Sequence, residues 1–100
     1  MKKIILLSEV DKYLKDLPEE ESAKIFADLV FLRMDQTEGL SIKQLKGKIK
    51  ELIVKQNRVV FFEHNDAIYA VDAFKKQSQK TPKRIIERTE KIYYQVVNKK

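Results

Sequence analysis

Arg58 and the lysines at 75, 76 and 80 are the residues whose type and spacing suit work on a phosphate. A guanidinium can hold two phosphate oxygens at once. Arg58 opens a run of strand formers, residues 58–63, whose rigid backbone would aim it. Alternatively, the same arginine covers apolar surface at a hairpin or pairs with Asp72. Lys75, Lys76 and Lys80 fall in a polar stretch, and crowded ammonium groups repel one another, so one member could exchange a proton. A solvated cluster is the ordinary fate of such a run. Lys48 and Lys50 share a face by the two-residue period of a strand, with Lys46 just before them. They could contact phosphate, or equally guard an exposed strand edge. His64, the single histidine, stands beside Asn65 and Asp66 and reads as a turn residue more than as a base. Tyr94 lies opposite the apolar stripe of its helix, where it could stack on a base, donate a proton or meet a partner; Tyr93 lies on the stripe and reads as core.

Other chemistries find no support. The chain has no cysteine, so disulfides, thiolate metal sites and cysteine nucleophiles are excluded. Two glycines, Gly39 and Gly47, are too few for a phosphate-cradling loop. The formal net charge is +6, unevenly spread: residues 1–40 carry 6 basic and 9 acidic side chains, residues 41–100 carry 15 and 6. Such asymmetry points to an acidic partner for the second half, nucleic acid being the usual one. With 43% hydrophobic and 36% charged residues, the 100 residues fit one folded domain. The apolar run within residues 4–7 is too short for a signal peptide or a membrane span, which makes the cytoplasm the expected location.

These groups need elements to position them. Residues 2–7 read as a strand buried on both faces. Ser8 can cap a short helix to about Leu17. Asp16 and Pro18 then introduce a second helix over about 18–36, with Glu19, Glu20 and Glu21 in its first turn. Its stripe of Ile25, Leu29 and Leu32 is flanked by Phe26, Val30 and Met34, an arc wide enough to pack on both a sheet and another helix. Residues 37–46 read as a loop. The period then changes to two, and runs at 48–56, 58–63 and 67–74 make a three-stranded antiparallel meander with turns at 56–57 and 64–66. Thr81 as cap and Pro82 in the first turn open a last helix with Ile85, Ile86, Thr89, Ile92, Tyr93, Val96 and Val97 on its apolar stripe. The order β-α-α-β-β-β-α is that of an α+β domain.

Three segments carry a family likeness. Residues 45–52, with Leu45, Lys46, Gly47, Glu51 and Leu52, resemble the L-K-G-x-x-x-E-L stretch that leads into the sheet of RelE/HigB toxins. Residues 58–62 are similar to the arginine-hydrophobic-aromatic central strand of that family. Residues 73–82, ending in Gln79, Lys80, Thr81 and Pro82, resemble the lysine-rich signature of its HigB and phage-protein-like branch, and Glu87 and Arg88 fall near that branch's helical Glu and Arg pattern. One departure stands out: Ile53 replaces the arginine that usually follows Glu-Leu, which leaves three outcomes open, weaker activity, a role shifted to Lys55, or a member that has lost catalysis.

The resemblance implies a RelE-like fold and a toxin of a type II toxin-antitoxin system. It implies a ribosome-dependent endoribonuclease that cuts mRNA by attack of a ribose 2′-hydroxyl on the adjacent phosphate, without metal or cofactor. Such a reaction needs a base, an acid and fixed positive charge on the oxyanion. Under this reading Arg58, Lys76 and Tyr94 are catalytic, and Lys46, Lys48, Lys50, Lys55, Lys75 and Lys80 bind RNA. The partners implied are a cognate antitoxin of helix-turn-helix type, the ribosome and mRNA, with no membrane. Two alternatives remain: a ParE-like toxin that inhibits DNA gyrase, or a relative that has lost catalysis and only binds its antitoxin.

Overall fold

The computed structural model describes residues 2–77 and 80–98. Five strands and three helices follow in the order β1 (Lys3–Leu6), α1 (Ser8–Asp16), α2 (Glu19–Arg33), β2 (Ser41–Lys46), β3 (Ile49–Val54), β4 (Asn57–His64), β5 (Ala67–Lys75) and α3 (Lys83–Val97). The strands form one sheet in the order β1-β5-β4-β3-β2. β2 to β5 are antiparallel neighbours, and β1 returns parallel to β5, Lys3 opposite Ala67 and Leu6 opposite Ala70. The α+β class and the meander agree with expectation.

Alternation along β3, β4 and β5 sends side chains to two different layers. Leu52, Val54, Val59, Phe61, Ile68 and Ala70 close against Val10 and Leu14 of α1 and Ile25, Leu29 and Leu32 of α2. On the other face Ile49 and Val60 pack with Ile85 of α3. Further along α3, Tyr93 stands edge-on to Phe62, with ring centroids 5.1 Å apart, and Phe62 stacks on Tyr69. In β5 the register shifts where Val60 faces Asp72 and Phe61 faces Ala70, a bulge at Val71. Arg88 of α3 reaches this bulge, donating from Nη1 to the Val71 carbonyl and to Asp72 Oδ2, each at 3.2 Å.

Several expectations are corrected. Residues 37–46 hold a strand, β2, where a loop was expected. It is exposed along most of its length, with only Ile42 and Leu45 as large apolar residues, so no burial pattern announces it. Backbone pairing to β3 holds it instead, across a turn in which Gly47 takes φ 54°, a left-handed conformation that glycine accepts without strain. β1 is not buried on both faces; it is an edge strand, alternately exposed and half-buried. Neither Ser8 nor Thr81 caps a helix: Leu7 and Pro82 occupy those positions, with no side-chain cap bond. The Asp16 cap is likewise not formed, since Pro18 is the cap residue of α2. α2 buries one stripe only. Phe26, Val30 and Met34 are 41–46% exposed because, among the described residues, no helix lies against that side, and Phe31 is exposed as well.

Candidate functional site

Three residues in one row across the sheet, Ile53, Arg58 and Phe74, face the α3 side. Two residues away lies a second row of Glu51, Val60 and Asp72, with Lys43 of β2 opposite Glu51. α3 begins at Lys83 and covers the Val60 end of this face, which leaves the Arg58 end open. The result is a small concavity of about 120 Å³. Ile53 and Phe74 line it as apolar surface, four cations, Lys43, Arg58, Lys76 and Lys80, surround it, and Glu51 and Thr81 complete it.

Arg58 is held by its own hairpin. Nη1 donates to the Lys55 carbonyl at 2.7 Å and to the Asn57 carbonyl at 3.0 Å. Lys55 takes φ 57° to make that turn. Arg58 as a whole residue is 8% exposed, and among the described residues the other nitrogens of its guanidinium have no partner, so they remain for an anion in the concavity. The pairing with Asp72 that the sequence suggested does not form. Asp72 engages Arg88, and its Oδ1 accepts from the Ala73 amide at 2.9 Å.

Asn57, 2% exposed, anchors the same hairpin from the α1/α2 side. Its side chain accepts from the Tyr13 hydroxyl and donates to Glu21 Oε1 at 3.1 Å. Burial, followed by the nearby Glu21 charge, pushes the Tyr13 phenol above its usual range, so it stays protonated as the donor. At the far rim the Lys76 amide donates to the Gln56 carbonyl at 2.7 Å, which ties the start of the lysine segment to the Arg58 turn. Thr81 Oγ1 donates to Glu51 Oε1 at 2.6 Å and brings the end of that segment back over β3.

Thus the structure joins Arg58 with Lys76 and Lys80, as expected, and disperses the other basic residues. Lys75, at the exposed end of β5, lines a neighbouring hollow of about 380 Å³ that shares Phe74 and Lys80 with the concavity and also includes Arg84. Lys46 points elsewhere and pairs with Glu90 of α3 at 3.2 Å. Lys48 falls in the β2–β3 turn, outside the strand, so the face it was expected to share with Lys50 does not exist. Lys50 follows the Leu52 and Val54 side of β3, away from the concavity. Lys55 sits by Glu20 and Glu21 and contributes only its carbonyl to Arg58. Tyr94 is 54% exposed and packs edge-on against Tyr93, eleven residues beyond the start of α3 or roughly 16 Å along its axis. It is not brought to the concavity. His64 ends β4 beside the Asn65–Asp66 turn, also distant from the cations. Ser78 and Gln79 of the lysine segment lie outside the described residues.

Sequence reasoning missed Lys43, Glu51 and Thr81 as site residues. Gly47 between two strand-length runs was the available signal for the hairpin that carries Lys43 and Glu51. A larger hollow, about 510 Å³, lies elsewhere, between α2 and the loop before β2. Its lining includes Asp28, Asp35 and Glu38 against one lysine, the wrong sign for a phosphate. Among the described residues no group of His, Asp and Glu could hold a metal ion, and no helix is long and apolar enough to cross a membrane.

Residues 12–94 match the model of the family described as phage derived protein Gp49-like (DUF891). No curated protein matches the chain. The solved structures that share the fold include two antitoxin-toxin complexes. One is a RelB-RelE antitoxin-toxin complex from Methanococcus jannaschii, with TM-score 0.62, 17% identity, and 71% of this chain aligned to 88% of that one. The other is an archaeal RelE-RelB complex from Pyrococcus horikoshii OT3, with TM-score 0.63, 16% identity, and coverage of 79% and 98%.

Proposed function

The chain belongs to the Gp49-like family of phage-derived proteins, and from that premise we propose that it is the toxin of a toxin-antitoxin pair, an endoribonuclease that cuts mRNA on the ribosome. The observation that carries this reading is the shared concavity in which Arg58 meets Lys43, Lys76 and Lys80. Phosphodiester cleavage by a ribose 2′-hydroxyl builds negative charge on the phosphate oxygens. A guanidinium already fixed by two backbone carbonyls stabilises that charge with little reorganisation. Lys76, at the rim of the concavity, serves in this reading as the acid that protonates the departing 5′-oxygen. The basic surface continues through Lys75, Lys80 and Arg84 and gives the strand a path away from the scissile phosphate. This scheme needs neither metal nor cofactor.

The cognate antitoxin is the expected partner, as both similar folds were solved in antitoxin-toxin complexes. The row of Phe26, Val30 and Met34, with Ile5 of the adjacent edge strand, offers that antitoxin apolar surface to cover. Ribosome, message and antitoxin place its action in the cytoplasm.

Ile53, apolar where the family usually has arginine, favours one other reading, a toxin that inhibits DNA gyrase without cutting RNA. Induction followed by primer extension on a translated message separates the two. Cleavage within codons is expected from the wild type, and Arg58→Ala should lower it at least about 100-fold while the circular dichroism spectrum and melting temperature hold. Full toxicity in Arg58→Ala would overturn the catalytic assignment, and trapped chromosome breaks with intact messages would favour gyrase.

A further inference from the structure

We propose that Glu51 is the general base that takes the proton of the attacking 2′-hydroxyl, an inference that rests on the ribonuclease reading above. Among the described residues Glu51 is one of few charged side chains that are buried, at 4% exposure, yet it lines the concavity with four cations. A carboxylate in that position would ordinarily be consumed by an ion pair. Among the described residues it makes none: its partner is Thr81 Oγ1, which donates to Oε1 at 2.6 Å and leaves Oε2 without a hydrogen bond. Strand β3 holds the carboxylate in the row next to Arg58, on the same face, so a phosphate gripped by the guanidinium lies within about two residues of it along the strand.

The placement is also consistent in charge. One carboxylate among Lys43, Arg58, Lys76 and Lys80 leaves the hollow net positive, so it does not expel the phosphate. His64, the other side chain suited to act as base near neutral pH, sits at the far end of β4. In the step itself the 2′-oxygen forms its bond to phosphorus as its proton passes to Glu51. The bond from phosphorus to the 5′-oxygen breaks, and that oxygen takes a proton from the Lys76 ammonium. The products are a 2′,3′-cyclic phosphate and a 5′-hydroxyl. Solvent then returns a proton to Lys76 and removes one from Glu51. Thr81 acts through Glu51 as a positioning residue, fixing the carboxylate rotamer.

Single-turnover cleavage of ribosome-loaded mRNA between pH 4 and 9 tests this, with end-group analysis and ribosome affinity measured in parallel. Glu51→Gln keeps the shape and the Thr81 bond. It should cut about 100-fold more slowly and lose the fall in rate toward acid pH, with ribosome binding unchanged. Glu51→Asp should retain that acid limb while losing about tenfold in rate, because its carboxylate falls short of the hydroxyl; this variant decides the matter if the Gln variant does not fold. A Glu51→Gln enzyme within threefold of wild type across the pH range, or a Glu51→Asp enzyme as fast as wild type, overturns the role of Glu51 and leaves the nuclease reading standing. A wild type that leaves no cyclic phosphate end brings down both.

Discussion

Beneath α1 and α2 the sheet presents Leu52, Val59, Phe61 and Ile68, and these close a continuous apolar layer with Val10, Leu14, Ile25 and Leu29. The same strands, one residue out of phase, present Glu51, Arg58 and Asp72 to the other side, where α3 buries only Ile85 and Thr89 fully. One side holds the molecule together; the other is half covered and keeps its charges within reach of a ligand. A strand with a two-residue period can serve both purposes because neighbouring side chains never share a layer. The hairpin that aims Arg58 is fastened from the apolar side, through Tyr13, Asn57 and Glu21. The site therefore borrows its rigidity from the face that has no part in the chemistry.

If that division holds, Phe61→Ala should lose about 4 kcal/mol of stability in denaturant titration, and Ile85→Ala, under the smaller helix, about 2 kcal/mol. Equal losses would break the comparison. On the charged side, affinity for ribosomes should fall with salt at a log-log slope of about −3, from roughly four lysine and arginine contacts to single-stranded phosphate at 0.7 each. Lys43→Gln should flatten that slope by about 0.7, which sharpens the assignment of a residue that sequence reasoning overlooked; a slope near zero would mean an apolar protein partner.

A smaller effect is expected at the seam between α2 and the sheet. Lys2 pairs with Asp35 at 2.7 Å and with Glu63, and the hydrogen bond to Asp35, then that to Glu63, raises its ammonium above the ordinary 10.5. A raised value in the folded state means that this contribution is complete below pH 10.5 and disappears as pH climbs through the folded value. Lys2→Met should thus cost under about 1 kcal/mol at neutral pH, since Asp35 is largely exposed, and nothing in strong alkali. Denaturant melts over a pH series read this directly, and a penalty that persists at alkaline pH would exclude the ion pairs as its source.

Much of this was legible in the chain. The period-two runs at β3, β4 and β5, the stripe of Ile85, Thr89 and Tyr93, and the grouping of Arg58 with the lysines after Phe74 follow from residue pattern and family signature. β2 was not legible, because a strand held at a sheet edge by backbone bonds needs no apolar alternation. Nor was the exposure of Phe26 and Val30, since a helix's own wheel does not say how many neighbours it has.

Residue order by itself determined which side chains share a face of each strand, since alternation is a local property of extended backbone, and it determined that the second half of the chain is cationic. Only the tertiary structure decided which of those cations meet. Strand register set Lys43 and Glu51 beside Arg58, turned Lys50 away and let Glu90 capture Lys46. The point at which α3 begins decided how much of that face stays open. Register and helix placement follow from the packing of the whole core, a sum over contacts distant in sequence that no local pattern encodes.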